Sequence, residues 1–137
     1  EHLCPDRSIL GMSKPIKREG GLAEYVSIPD KNIYEIPKGL DTKEAAVAEP
    51  TAVSLHAVLL GEQTLKKPIS ECRVLIQGGG AIGLLCGLIL AKDKGCKNIV
   101  LSDPNKKRLD ECSKYLDAKY VAPNDKIINS NGFRYRI

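Results

Sequence analysis

With 137 residues the chain matches one ordinary domain, by the usual allowance of about 150 residues per domain, so two complete domains are not expected. Hydrophobic residues at 42% and charged residues at 28% exclude disorder as the main state. Twenty-one Lys and Arg against seventeen Asp and Glu give +4 spread along the chain, well short of the basic stripe that a phosphate backbone needs. The longest apolar run, Ala81 to Ala91, is eleven residues, against the roughly 20 that cross a bilayer. Neither a nucleic-acid nor a membrane partner is expected.

From the start, residues 1–20 are rich in Pro, Gly, Lys and Arg without a period and read as loop. No charged-then-apolar leader and no initiating Met are present, and the chain reads as entering a longer sequence already under way. Leu22, Tyr25, Val26 and Ile28 predict a short strand closed by Pro29, and Ile33, Tyr34 and Ile36 a second closed by Pro37. Asp41 or Thr42 can cap a helix through Ala46, and Pro50 can open another that runs to Leu60 and stops at Gly61. His56 falls inside this apolar helix, beside Val53, Leu55, Val58 and Leu59, and reads as a packed histidine rather than a metal ligand.

From Cys72 the pattern changes. Val74-Leu75-Ile76 is a buried strand running into Gly78-Gly79-Gly80, and Ala81 to Lys92 carries Ile82, Leu85, Leu88 and Ile89 at helical spacing before Gly95. A strand over 98–101, a helix from Asp103-Pro104 to about Tyr115 and a third strand over 118–121 follow. Strand, helix, strand, helix, strand is the order of a parallel doubly wound α/β sheet. The last residues, Lys126 to Ile137, show no helix or strand long enough to complete such a fold and read as cut or altered.

Gly78-Gly79-Gly80-Ala81-Ile82-Gly83 satisfies G-x-G-x-x-G between a strand and a helix. Gly78 permits the sharp turn, Gly80 lets backbone approach a pyrophosphate, and Gly83 lets the helix pack closely on the sheet, while the helix N-terminus faces the phosphates. Asp103 lies twenty residues beyond Gly83 at the tip of the second strand, where a carboxylate accepts ribose hydroxyls and repels a 2′-phosphate. NAD is therefore the expected cofactor, tempered by Lys106, Lys107 and Arg108 just beyond the acid. The five cysteines, Cys4, Cys72, Cys86, Cys96 and Cys112, form neither a Cys-x-x-Cys nor an even framework; they fit a reducing compartment such as the cytoplasm, and the last four read as small apolar residues or idle surface thiols.

Leu3-Cys4-Pro5, Gly20 to Val26, Ala48-Glu49-Pro50 with its helix, and Val74 to Gly83 together resemble, in order, the zinc-dependent medium-chain dehydrogenases of the alcohol dehydrogenase superfamily, in the branch of sorbitol, threonine and related polyol or secondary-alcohol dehydrogenases. The resemblance covers about residues 1–122. It implies the tail of a GroES-like, β-rich catalytic domain with its connecting helices over 1–62, and over 63–137 the first half of a Rossmann sheet. It further implies that Cys4 is the last of four structural-zinc cysteines and that Glu49 faces the catalytic zinc, with the partners of both upstream. Ile82 would pack beside the nicotinamide, with Val53 a candidate for its other face; Gly78, Gly80, Ala81 and Gly83 would hold the phosphates, Asp103 the ribose, and Arg108 would lie along the adenosine.

In the family so implied, zinc lowers the pKa of a bound alcohol or polyol hydroxyl and hydride passes to NAD, in a protein that is a homo-oligomer at full length. The 137 residues alone are expected to lack that activity. Three alternatives remain at this point: a zinc-independent NAD(P) reductase of the same superfamily, a non-catalytic nucleotide-binding chain, and a methyltransferase, the last disfavoured by Gln77 where an acid commonly leads into the loop.

Overall fold

The structure is a computed structural model that describes residues 8–12, 17–128 and the backbone of 135–136. The chain divides into two compact units, residues 1–38 and 39–137.

In the first unit the described residues hold one 3-10 turn, Asp30–Asn32, and a short backbone pairing in which Gly11 N–H donates to Arg18 O and Arg18 N–H to Met12 O. The two strands expected around Leu22–Ile28 and Ile33–Ile36 do not form among the described residues. Leu22, Tyr25 and Tyr34 stand almost fully exposed. An alternating segment becomes a strand only against a partner edge with an apolar face to cover, and an isolated pair is marginal in water.

The second unit opens with α1 (Thr42–Ala45), started by a capping box: the Asp41 side chain accepts from Lys43 N–H, and Glu44 Oε2 accepts from Asp41 N–H at 3.2 Å. Helix α2 (Ala48–Gln63) begins two residues before Pro50, which occupies the first turn where no backbone donor is needed, and it continues through Gly61. Gly61 is buried inside the helix instead of ending it. The end comes at Thr64, whose hydroxyl donates to Gly61 O at 2.7 Å. The buried line of α2 is Ser54, Val58 and Gly61, which leaves His56 on the opposite side, exposed rather than packed as the sequence led us to expect.

Four parallel strands, β1 (Arg73–Gln77), β2 (Asn98–Ser102), β3 (Lys119–Val121) and β4 (Tyr135–Arg136), lie in the order β3-β2-β1-β4. The expectation that nothing after Lys126 would join the fold is thus corrected: Tyr135 pairs with Val74 and Arg136 with Leu75. Two residues are too few to carry a period-2 signal.

Val74, Ile76, Ile99 and Leu101 point to one face and pack with Val58, Cys86, Leu90, Cys112 and Leu116; Leu75, Val100 and Val121 point to the other, against Ile127 and Ile128. Burial on both faces explains why β1 and β2 read as continuous apolar runs. Helix α3 (Ala81–Leu88) follows β1 and widens into a π turn over Ile89–Asp93, and Gly95 takes a left-handed φ of +70°. Lys94 Nζ, 2.9 Å from Glu62 Oε2, ties this end to the end of α2. Helix α4 (Lys106–Cys112) starts later than expected because Asn105, not Asp103, is its cap, with Oδ1 accepting from Lys107 N–H at 3.0 Å.

All four described cysteines are buried as free thiols, consistent with their reading as small core residues. Burial pushes the thiols of Cys86, Cys96 and Cys112 above their usual range.

Two glycines on α3 allow the fold to be tested. A Cβ on Gly83 would overlap the Gly78 carbonyl oxygen, a backbone atom, whereas one on Gly87 would come to 2.5 Å from Leu116 Cδ2, the end of a side chain that can turn away. Gly83→Ala should therefore cost about 3 kcal/mol or more in urea unfolding and Gly87→Ala about 1 kcal/mol. Equal losses would show that the helix can slide off the loop.

Candidate functional site

The end of β1 is shaped by the loop that follows it. Gly78 has φ +116°, a conformation that side-chain-bearing residues rarely adopt, and its N–H donates to Ser102 O at 2.7 Å, so the loop leaves the sheet still attached to β2. Gly79 is buried; its N–H donates to Asp103 Oδ2 at 2.7 Å, and its carbonyl accepts from the Cys112 thiol at 3.4 Å. Because burial keeps that thiol protonated, it remains a donor.

Gly80 is the N-cap of α3 and offers no side-chain cap, so the first N–H groups of the helix face the exposed residues Ala81 and Ile82. An open cavity of about 360 Å³ is lined here by Gln77, Gly78, Gly80, Ala81, Ile82 and Gly83, with Ile76 beneath.

The three spaced glycines differ in what they do. Gly78 is required by its φ and Gly83 by its contact with Gly78 O. Gly80 has an ordinary extended backbone (φ −80°, ψ −174°), and a Cβ built on it meets nothing within 4 Å. The fold has no need of glycine at that position.

Asp103, at the tip of β2, is only 3% exposed. Its Oδ1 accepts from Asn105 N–H and its Oδ2 from Gly79 N–H, both at 2.7 Å, and Arg108 Nη1 stands 3.7 Å from Oδ2. The Asn105 N–H, then the Gly79 N–H, then the Arg108 charge hold the carboxyl below its usual range, against the opposing effect of burial. The acid is therefore ionised at neutral pH and serves first as the clamp of the glycine loop, a role that sequence spacing alone did not show. Arg108 is exposed above it.

Helix α2 reaches the same place from the other side. Ser54, fully buried, donates through Oγ to Pro50 O at 2.8 Å and lies 3.4 Å from Ile82 O, while Cys86 Sγ contacts Ser54 O. Ser54 was not singled out in the sequence; the only signal was a small polar residue on an otherwise apolar helix face. Next to it Val53 is 48% exposed, and Ile82 is 43% exposed. Glu49 is exposed in the first turn of α2. Cys4 lies outside the described residues. Among the described residues no group of three His, Cys, Asp or Glu side chains could hold a metal ion, so zinc does not fit them by themselves.

No protein-family model matches the chain. It is 35% identical over 120 residues to L-threonine 3-dehydrogenase of Pyrococcus horikoshii, which takes in 88% of this chain and 31% of that protein. Among solved structures it is similar to a zinc-binding dehydrogenase from Sinorhizobium meliloti bound to NADP (TM-score 0.74, 34% identity, 93% of this chain and 35% of that one). An Escherichia coli alcohol dehydrogenase complexed with NADH superposes with a TM-score of 0.77 at 25% identity, over 90% of this chain and 34% of that one. The chain thus spans about a third of the length of the relatives it matches. Over that span, in sequence and in fold, it is homologous to the zinc-binding dehydrogenases of the alcohol dehydrogenase superfamily.

Proposed function

We propose that this chain forms the phosphate- and adenosine-binding part of an NAD-dependent dehydrogenase that moves hydride between the nicotinamide and a small secondary alcohol or polyol. The observation that carries this reading is Gly80: it needs neither a special φ nor the space of a missing Cβ within the chain, so its lack of a side chain serves something that approaches from outside. A pyrophosphate fits that place, because the uncapped N-terminus of α3 supplies N–H donors and the positive end of a helix dipole.

In this reading Gly78 and Gly83 build the loop, and Gly80 and Ala81 face the phosphates. Asp103 lies beneath the ribose, with Arg108 along the adenosine. Ile82 and Val53, both exposed near the Ser54 link, offer apolar contacts to the nicotinamide. Residues 1–62 belong to the tail of a metal-bearing domain and 63–137 to the dinucleotide domain of a homo-oligomeric cytoplasmic enzyme. Glu49 is the one acid of the described residues assigned toward a zinc ion, and Cys4 is assigned to a structural zinc. A single carboxylate does not make a zinc site, so no step of hydride transfer is placed on the described residues, and the 137 residues are expected to bind dinucleotide without turning over alcohol.

Gly80→Val should melt within about 2 °C of the parent chain yet bind NADH about tenfold or more weakly in a fluorescence titration. Unchanged binding by a folded Gly80→Val would overturn the reading. S-adenosylmethionine bound in place of NADH would make the chain a methyltransferase, and NADH-dependent turnover of threonine, sorbitol or butanediol would show that the 137 residues suffice for catalysis.

The pH dependence follows from Asp103. Its folded-state pKa lies below the ordinary 3.8, so its contribution to stability is fully present above that value and is lost as pH falls through the lower, folded one. Calorimetric titration with NAD should give a constant affinity from about pH 5 to pH 8, as no carboxylate clamp titrates there. A midpoint in that window would mean that another group controls the loop.

A further inference from the structure

An acid at the tip of the second strand selects NAD when its open oxygens both accept the ribose hydroxyls and repel a 2′-phosphate in the same place. Asp103 is not open in that sense. Its side chain is 2% exposed, and each oxygen already accepts a backbone N–H at 2.7 Å, Oδ1 from Asn105 and Oδ2 from Gly79. The carboxylate charge is turned inward, toward the loop that it clamps.

Outward, the first group met is the Arg108 guanidinium. It stands 3.7 Å from Oδ2, with its own side chain 60% exposed. Lys106 and Lys107 are exposed in the turn before it. Of the acids on the same helix, Glu111 is paired with Lys114 Nζ at 2.5 Å, and Asp110 is exposed two residues beyond Arg108. An anion coming to this rim from solvent meets three cations before it meets Asp103.

We infer that the dinucleotide site accepts NADP as well as NAD, with Arg108 as the specificity-determining residue that receives the 2′-phosphate; this rests on the dinucleotide reading above. A guanidinium presents parallel N–H donors to phosphate oxygens and carries a fixed charge. In NAD the same side chain lies against the adenosine ribose and makes no ion pair with the ligand. The two cofactors thus share the glycine loop and differ at Arg108 alone.

The test is a fluorescence titration of the 137-residue chain and of Arg108→Ala with NADH and with NADPH. Arg108 is exposed, so the variant is expected to melt with the parent. The parent chain should bind the two within about tenfold of each other, and Arg108→Ala should weaken NADPH about tenfold more than NADH. A parent preference for NADH beyond about tenfold, or equal weakening of both cofactors by Arg108→Ala, would overturn the inference while leaving the dinucleotide site standing. Failure of both nucleotides to bind the parent chain would instead overturn the proposed function and the inference with it.

Discussion

The hydrogen bond from Gly79 N–H to the Asp103 carboxylate is the contact on which the rest of this unit depends. It joins the loop after β1 to the tip of β2 across 24 positions of sequence, in a place where neither partner reaches water freely. A buried carboxylate is costly unless each oxygen is satisfied, and here the second oxygen finds Asn105 N–H, which also sets Asn105 to cap α4. One ionised side chain thereby holds the glycine loop, begins the helix that follows β2, and positions Arg108 in that helix's first turn. Cys112, at the other end of α4, returns to the same glycine by donating to its carbonyl. Gly79 is held at both its N–H and its C=O, so the neighbouring Gly80 is presented on a fixed support rather than on a loose glycine turn.

The sheet beneath is unequally covered. One face meets α2, α3 and α4 through a broad cluster from Val58 to Leu116; the other packs Leu75, Val100 and Val121 against Ile127 and Ile128. The strand order β3-β2-β1-β4 accounts for this asymmetry. Both helical connections, β1 to β2 and β2 to β3, step in one direction and, being right-handed crossovers, lay their helices on the same face. The change of direction occurs between β1 and β4, and in open α/β sheets a crevice forms at the carboxyl ends of strands beside such a reversal. The Gly78 loop leaves β1 at that point.

What the sequence made legible was whatever depends on neighbours in the chain. The apolar run of β1, the glycine spacing, Asp103 and the two following strands are local patterns, and the structure places them within a residue or two of their expected bounds. What stayed hidden depends on distant partners. Residues 22–36 carry alternating apolar side chains but form no strand among the described residues, since alternation specifies a face and not an edge to pair with. Gly61 reads as a stop in isolation, yet burial keeps it within α2 and Thr64 closes the helix. His56 was misplaced because α2 carries apolar residues on nearly every side, so its period did not reveal which line faced α3. At the site, spacing identified Asp103 but not the direction of its charge, which two backbone N–H groups decide.

Helix α2 shows how such a distant contact becomes a functional constraint. Glu49 and Val53 are four residues apart and share a face one turn apart, and Ser54 beside them is fixed near Ile82 O at the start of α3. Since Ser54 also donates to Pro50 O, the first two turns of α2 are bound to themselves and to the helix that opens the glycine loop. Whatever is brought to Glu49 is therefore in register with whatever lies on the loop, at a separation fixed by helix geometry rather than by a flexible linker. Hydride transfer needs its reacting centres held to within a few tenths of an ångström, and a small buried hydroxyl between two helices is a means of holding them. In this arrangement Ser54 acts as a positioning residue: it touches neither cofactor nor alcohol, and it sets the spacing between the side chains assigned to them.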